Sequence, residues 1–132
     1  MKGYKIEARP LLSTLWIFIL LNMIFRDLHQ FASEGFIEEI MSLKISEELL
    51  LVYGFVLEIP ILMVVLSRIL NDKANKWANT IAVLITGLGM LSALASADMD
   101  DIFFTIMEFA AFTGIIIIAF RLPTSSKNLR LP

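Results

Sequence analysis

The chain has 132 residues, 58% of them hydrophobic and only 18% charged, with a formal net charge of −2 and no cysteine. A soluble domain of this size has a high surface-to-volume ratio and needs polar residues to cover it; the composition and a mean hydropathy of +0.78 argue instead for the bilayer as solvent. The slightly negative charge gives a nucleic-acid partner no electrostatic support, and the lack of cysteine excludes disulfides, thiol catalysis and thiolate metal sites.

In chain order, Met1 to Pro10 is basic and polar. The apolar run behind it has no Ala-x-Ala-like cleavage site and is too long for a signal-peptide core, so it reads as a retained first helix. That helix is predicted over 11–31, opening after Pro10. The segment 32–48 sets Phe36, Ile37, Ile40, Met41 and Leu43 among acids. Its spacing suits a short amphipathic helix on the outer interface, or an ordinary folded loop. A second span is predicted over 49–70, with Ser46 as N-cap and Glu47 and Glu48 in the first turn. Pro60, two residues after Glu58, removes an amide donor and is expected to free a carbonyl and bend the helix there. The third span is predicted over 77–97. It carries Gly89, Ala93 and Ala97, a small-residue stripe suited to close helix packing within or between subunits. The fourth is predicted over 102–120, stopped by Pro123. Each is about as long as a membrane crossing needs. The predicted architecture is therefore all-α: an integral membrane four-helix bundle, with residues 1–132 forming a single transmembrane domain and no soluble domain.

Orientation follows the basic residues. Lys2, Lys5 and Arg9 precede the first span, Arg68, Lys73 and Lys76 flank the second connection, and Arg121, Lys127 and Arg130 follow the fourth. The opposite side has Lys44, plus Arg26 inside the first span, among Glu34, Glu38, Glu39, Glu47, Glu48, Asp98, Asp100 and Asp101. This asymmetry predicts a cell-membrane protein with both termini cytoplasmic.

Ionisable residues inside the predicted spans include Arg26, Asp27, His29, Glu58 and Glu108. Such residues are costly in lipid and usually face the bundle interior. At 1.5 Å rise per residue, Arg26 and Glu108 lie about 8–9 Å below the outer surface, and Asn22 and Glu58 about 13 Å below it. Asn22, Arg26 and His29 form one stripe on the first helix, Asp101, Thr105 and Glu108 another on the fourth, while Glu47, Gly54 and Glu58 share a face of the second. The predicted site is thus a polar, acid-rich pocket in the outer half of the membrane, bound by Asn22, Arg26, Asp27, Glu58 and Glu108. Three acids against one arginine leave at least one acid neutral, holding a cation, or reaching water. The competing reading is structural: Arg26 pairs with an acid and glues helices together. His29 reads as a polar residue at the outer interface, since a lone histidine without a spaced partner is no metal site. The seven methionines read as core filler. No catalytic triad, phosphate loop or dinucleotide turn is present, and no metal or cofactor is expected.

Several short stretches together resemble a known family. They are Leu12-Ser13-Thr14-Leu15-Trp16, Arg26-Asp27, Glu38-Glu39-Ile40-Met41, Glu58-Ile59-Pro60, Leu66-Ser67-Arg68-Ile69-Leu70, Asn75-Lys76-Trp77-Ala78-Asn79 and Ile102-Phe103-Phe104 with Glu108. The resemblance is to small bacterial four-helix membrane proteins catalogued as a domain of unknown function. It covers roughly Leu11 to Pro123 and implies topology without activity. Asp27, and Glu58 followed by Pro60, also resemble features of the EXPERA superfamily of emopamil-binding and sigma-two-type proteins, whose acids line a pocket for amine or sterol ligands. The histidine of its isomerase members has no clear counterpart here.

The leading expectation is binding or passage of a small hydrophobic or cationic molecule, with Glu58, Glu108 and Asp27 as charge partners and Arg26 as internal counter-ion. Two other classes stay open. One is an isomerase-type membrane enzyme in which Glu58 and Glu108 exchange protons. The other is an accessory or assembly subunit whose acids only fix packing. The lipid bilayer is the expected surrounding, and self-association into a homo-oligomer is compatible with the small-residue stripe.

Overall fold

The computed structural model describes residues 7–94 and 97–123, without the side chain of Ala93. Lys2, Lys5, Lys127 and Arg130 of the basic pattern lie outside the described residues. The described chain forms five α-helices and no strand: α1 (Ala8–Phe31), α2 (Phe36–Ser42), α3 (Glu47–Ile69), α4 (Asp72–Ala93) and α5 (Met99–Arg121).

Local chemistry sets most of these limits. Pro10 sits in the first turn of α1, where a missing N–H has no intrahelical acceptor to lose. Ser46 caps α3, its hydroxyl accepting from Leu49 N at 3.3 Å. Gly35 enters α2 at φ 83°, a left-handed conformation that glycine adopts without a Cβ clash. Asp98 accepts from Asp100 N and Asp101 N at the start of α5, while Asp101 Oδ2 accepts from Asp98 N at 3.4 Å, a reciprocal capping box. The third predicted span needs correction. Asn71 caps α4 by accepting from Ala74 N at 2.9 Å, so the helix starts at Asp72 rather than Trp77. Hydropathy alone misses this first turn because its residues are polar. The amphipathic stretch does form a helix, α2, although none of its residues is buried. α3 continues unbroken through Pro60.

The four long helices form a ring of antiparallel neighbours, with α1 and α4 each packed between α3 and α5. At one end Arg9 pairs with Asp72 at 2.8 Å and the Lys76 ammonium lies 4.4 Å from the Phe120 ring centre. At the other end the α1 C-terminus meets the α5 N-terminus. Leu12, Trp16, Ile19 and Met23 of α1 pack with Met63, Ala82, Met90, Phe112 and Ile115 to form the core; the Trp16 and Phe112 rings meet edge-on at 6.1 Å. Gly89 brings α4 close to α3, since a Cβ there would lie 3.4 Å from Val56.

Most other large apolar side chains point outward, among them Leu51, Leu88 and Ile106. An apolar exterior of this extent needs an apolar surrounding or a partner. Three helices, α1, α3 and α5, are long and apolar enough to cross a membrane. α4 has the length but not the hydropathy, because Lys73, Asn75, Lys76, Asn79 and Thr80 occupy its first half.

Of these, Asn75 and Asn79 build a polar network that the sequence reading did not anticipate. Trp16 Nε1 donates to Asn79 Oδ1 at 2.7 Å, and Ser67 Oγ donates to the same oxygen at 3.4 Å. Asn79 Nδ2 donates to Asn75 Oδ1 and Asn75 O, and Asn75 Nδ2 donates to the Ser67 carbonyl. Beside it, Arg68 Nε donates to Ser13 Oγ, which donates to the Val64 carbonyl. Ser13, Trp16, Ser67, Asn75 and Asn79 have no solvent exposure. Burying polar groups is tolerated where they satisfy one another, and this cluster ties α1, α3 and α4 together at the end carrying Arg9.

Candidate functional site

The end opposite Arg9 is the less completely satisfied one. Three polar contacts join α1 to α5 there. Arg26 Nη1 donates to Glu108 Oε2 at 3.2 Å, with the arginine side chain 15% exposed and the glutamate fully buried. Gln30 Nε2 donates to Asp101 Oδ1 at 2.8 Å. His29 Nδ1 lies 3.0 Å from Asp100 Oδ2 at the exposed rim. Asp101 therefore caps its own helix with one oxygen and receives Gln30 with the other. The capping box positions the start of α5, and the helical rise places Glu108 two turns further in.

Beside these contacts lies a cavity of about 500 Å³. One wall is polar: Arg26, Asp27, Gln30, Ser33, Glu34, Glu39, Asp98, Asp101 and Thr105. The other is apolar, from Phe36, Ile40 and Leu43 near α2 and from Met90 and Leu94 of α4. Five carboxylates and one arginine line it, and that arginine already carries Glu108. Glu108 Oε1 and Thr86 Oγ1 are buried without a hydrogen-bond partner among the described residues. They sit one turn inward of Thr105 and Met90, which line the cavity.

The five residues predicted for the pocket divide. Arg26, Asp27 and Glu108 come together: the first two line the cavity, and the third is held beneath it by Arg26. Glu58 does not join them. It is exposed on the surface of α3, whose buried residues are Pro60, Met63 and Ser67. At 100° per residue Glu58 lies about 200° around the helix from Val56, which packs on Gly89. The spacing was right and the assumed facing was wrong, because α3 is apolar nearly all round and gives no amphipathic cue. Asn22 is half-buried and its amide donates to the Phe18 carbonyl of its own helix at 2.9 Å, so it too stands apart. Gln30, Ser33, Glu34 and Glu39 were not anticipated as lining residues. The signal for Gln30 was available: it lies four residues beyond Arg26, on the same face. Among the described residues no group of three or more His, Asp or Glu is arranged to hold a metal ion.

No curated protein and no solved structure matches this chain, so the resemblance to the EXPERA superfamily finds no support and none of that superfamily's chemistry transfers here. A family model does match, covering residues 1–129. The chain thus belongs to DUF6326, a family of unknown function.

Proposed function

We propose that the protein is a four-span membrane protein whose outer pocket binds a small cationic molecule with a hydrophobic body. The observation that carries this reading is the pairing of five carboxylates with an apolar wall around one cavity. Carboxylates favour a cation, and Phe36, Ile40, Leu43, Met90 and Leu94 suit an apolar body. α4 becomes the fourth span in this reading, since it lies between two apolar helices and turns its polar first half inward to the Asn75–Asn79 network. Both termini are placed in the cytoplasm, from the basic residues at the Arg9 end and the acids at the other.

Tetraphenylphosphonium, an apolar monocation, tests the pocket. Asp27 and Glu39 line the cavity. Each removed carboxylate near a bound cation is worth about 1 kcal/mol at water-like dielectric, so Asp27→Asn with Glu39→Gln should weaken binding about tenfold or more in lipid nanodiscs. Equal affinity of wild type and variant, or no saturable binding, would overturn the reading. Orientation has its own test. Single cysteines at Ser33 and Asp98 should react with an impermeant maleimide in intact cells, and one at Thr124 should not; the reverse pattern would invert the topology.

The accessory-subunit reading draws support from the Arg26–Glu108, Gln30–Asp101 and His29–Asp100 contacts, which fasten α1 to α5. A purely structural cluster would leave neither an open cavity nor the orphaned Glu108 Oε1. The isomerase reading loses its proton-exchange pair, since Glu58 and Glu108 face different surroundings.

A further inference from the structure

Two buried oxygens beneath the cavity have no partner among the described residues, Glu108 Oε1 and Thr86 Oγ1. Glu108 is 0% exposed and Thr86 2%. They come from packed helices at one level. A Cβ built on Gly87 would lie 3.9 Å from the rings of Phe109 and Phe112, which sets the turn of α4 that carries Thr86 against the turn of α5 that carries Glu108. Each also stands one turn below a cavity-lining residue on the same helix face. Thr86 is four positions before Met90, and Glu108 three after Thr105. The two oxygens therefore lie about 5 Å beneath the cavity floor.

A buried acceptor without a donor is costly, so this place calls for a group that donates. Arg26 does not serve it, because its Nη1 is held by the other oxygen, Glu108 Oε2, at 3.2 Å. One free carboxylate oxygen also suits a second guanidinium poorly, since that planar fork is matched to both oxygens at once. A primary ammonium is a compact point charge with three N–H donors. It can give one to Glu108 Oε1 and one to Thr86 Oγ1, whereas a quaternary ammonium has none to give. Charge agrees, since Glu108, Asp27 and Asp101 are set against Arg26 alone. Met90, one turn above Thr86, brings an unbranched, adaptable side chain to this floor.

We infer that the ligand of the pocket is a protonated primary alkylamine, its ammonium seated between Glu108 Oε1 and Thr86 Oγ1 and its apolar body against Met90, Leu94 and Ile40. The inference rests on the pocket proposed above and adds the identity of the head group. Octylammonium and octyltrimethylammonium differ only in the three methyl groups that replace N–H. Each is set to compete with tetraphenylphosphonium in lipid nanodiscs, and the ratio of their affinities is compared between variants, so that partition into lipid cancels. Thr86→Val loses no hydrogen bond within the described protein and should fold as wild type does. It should reduce the preference for octylammonium about tenfold, the effect of one hydrogen bond to a charged group. Arg26→Leu with Glu108→Leu removes the carboxylate without altering net charge and should reduce the preference at least as far. Thr113→Val is the control, because that hydroxyl donates to the Phe109 carbonyl of its own helix; its ratio should match wild type. A ratio indifferent to Thr86→Val would overturn the ammonium seat and leave the pocket standing, the result expected if a buried water alone satisfies the two oxygens. Saturable tetraphenylphosphonium binding that octylammonium fails to displace would overturn the seat as well. No saturable tetraphenylphosphonium binding would overturn the pocket, and the seat with it.

Discussion

Arg26→Leu should lower the stability of the folded protein by about 3–5 kcal/mol, the usual cost of removing one partner from a buried ion pair. The reason lies with the residue that remains. Glu108 is fully buried and its Oε1 already has no partner; without Arg26 it loses its counter-ion as well. Arg26 also stands beside Asp27 and Asp101 on the cavity wall, so its removal leaves that wall without any positive charge. Thermal unfolding in detergent measures the effect, and Arg26→Leu combined with Glu108→Leu should recover most of it, because an apolar pair replaces a buried ionic one at little cost. A single variant as stable as wild type would show that Arg26 is not the counter-ion of this cluster.

Asn79→Leu should be comparably harmful at the opposite end. Asn79 Oδ1 accepts from Trp16 Nε1 and Ser67 Oγ, and its amide donates to Asn75. Leucine would orphan three neighbours in a site without solvent exposure, at about 1–3 kcal/mol for each unsatisfied group. These losses do not simply add, so a total on the order of 3 kcal/mol is expected. Thr80→Ala is the control: Thr80 Oγ1 donates only to the Lys76 carbonyl of its own helix, and its loss should change stability by less than about 0.5 kcal/mol. Urea or thermal titration of both variants in the same detergent compares them; similar midpoints would mean that the network contributes nothing beyond packing.

Helix positions and the gathering of Arg26, Asp27 and Glu108 at one end of the bundle were legible in the sequence, because runs of apolar residues and caps such as Ser46 act locally. The facing of α3 was not. Its 18-residue apolar window has a mean hydropathy of 2.6, and a helix apolar on every side carries no pattern that tells inside from outside. Glu58 was therefore assigned to the pocket by depth and an assumed facing, whereas Arg26 and Glu108 lie on faces that do meet. The Asn75–Asn79 network escaped for another reason. Asn75 and Asn79 sit in a polar lead-in that reads as a helix start, and the partners that bury them come from residues far away in sequence: Trp16 is 63 positions from Asn79. Such pairings depend on the ring order of the helices, which no local window contains.

The distribution of these hydrogen bonds also prescribes an order of assembly. α4 alone would leave the Asn75 Nδ2 amide and the Asn79 Oδ1 oxygen unanswered, since only Asn79 Nδ2 finds its partner, Asn75, within that helix. α3, joined to it by a short turn, offers the Ser67 carbonyl and hydroxyl, so the two helices can satisfy one another as a hairpin. Trp16 of α1 has the opposite dependence: its indole N–H finds Asn79 only after that hairpin exists. α1, made before that hairpin, is thus among the last helices to reach its final contacts and must wait beside an unfinished bundle.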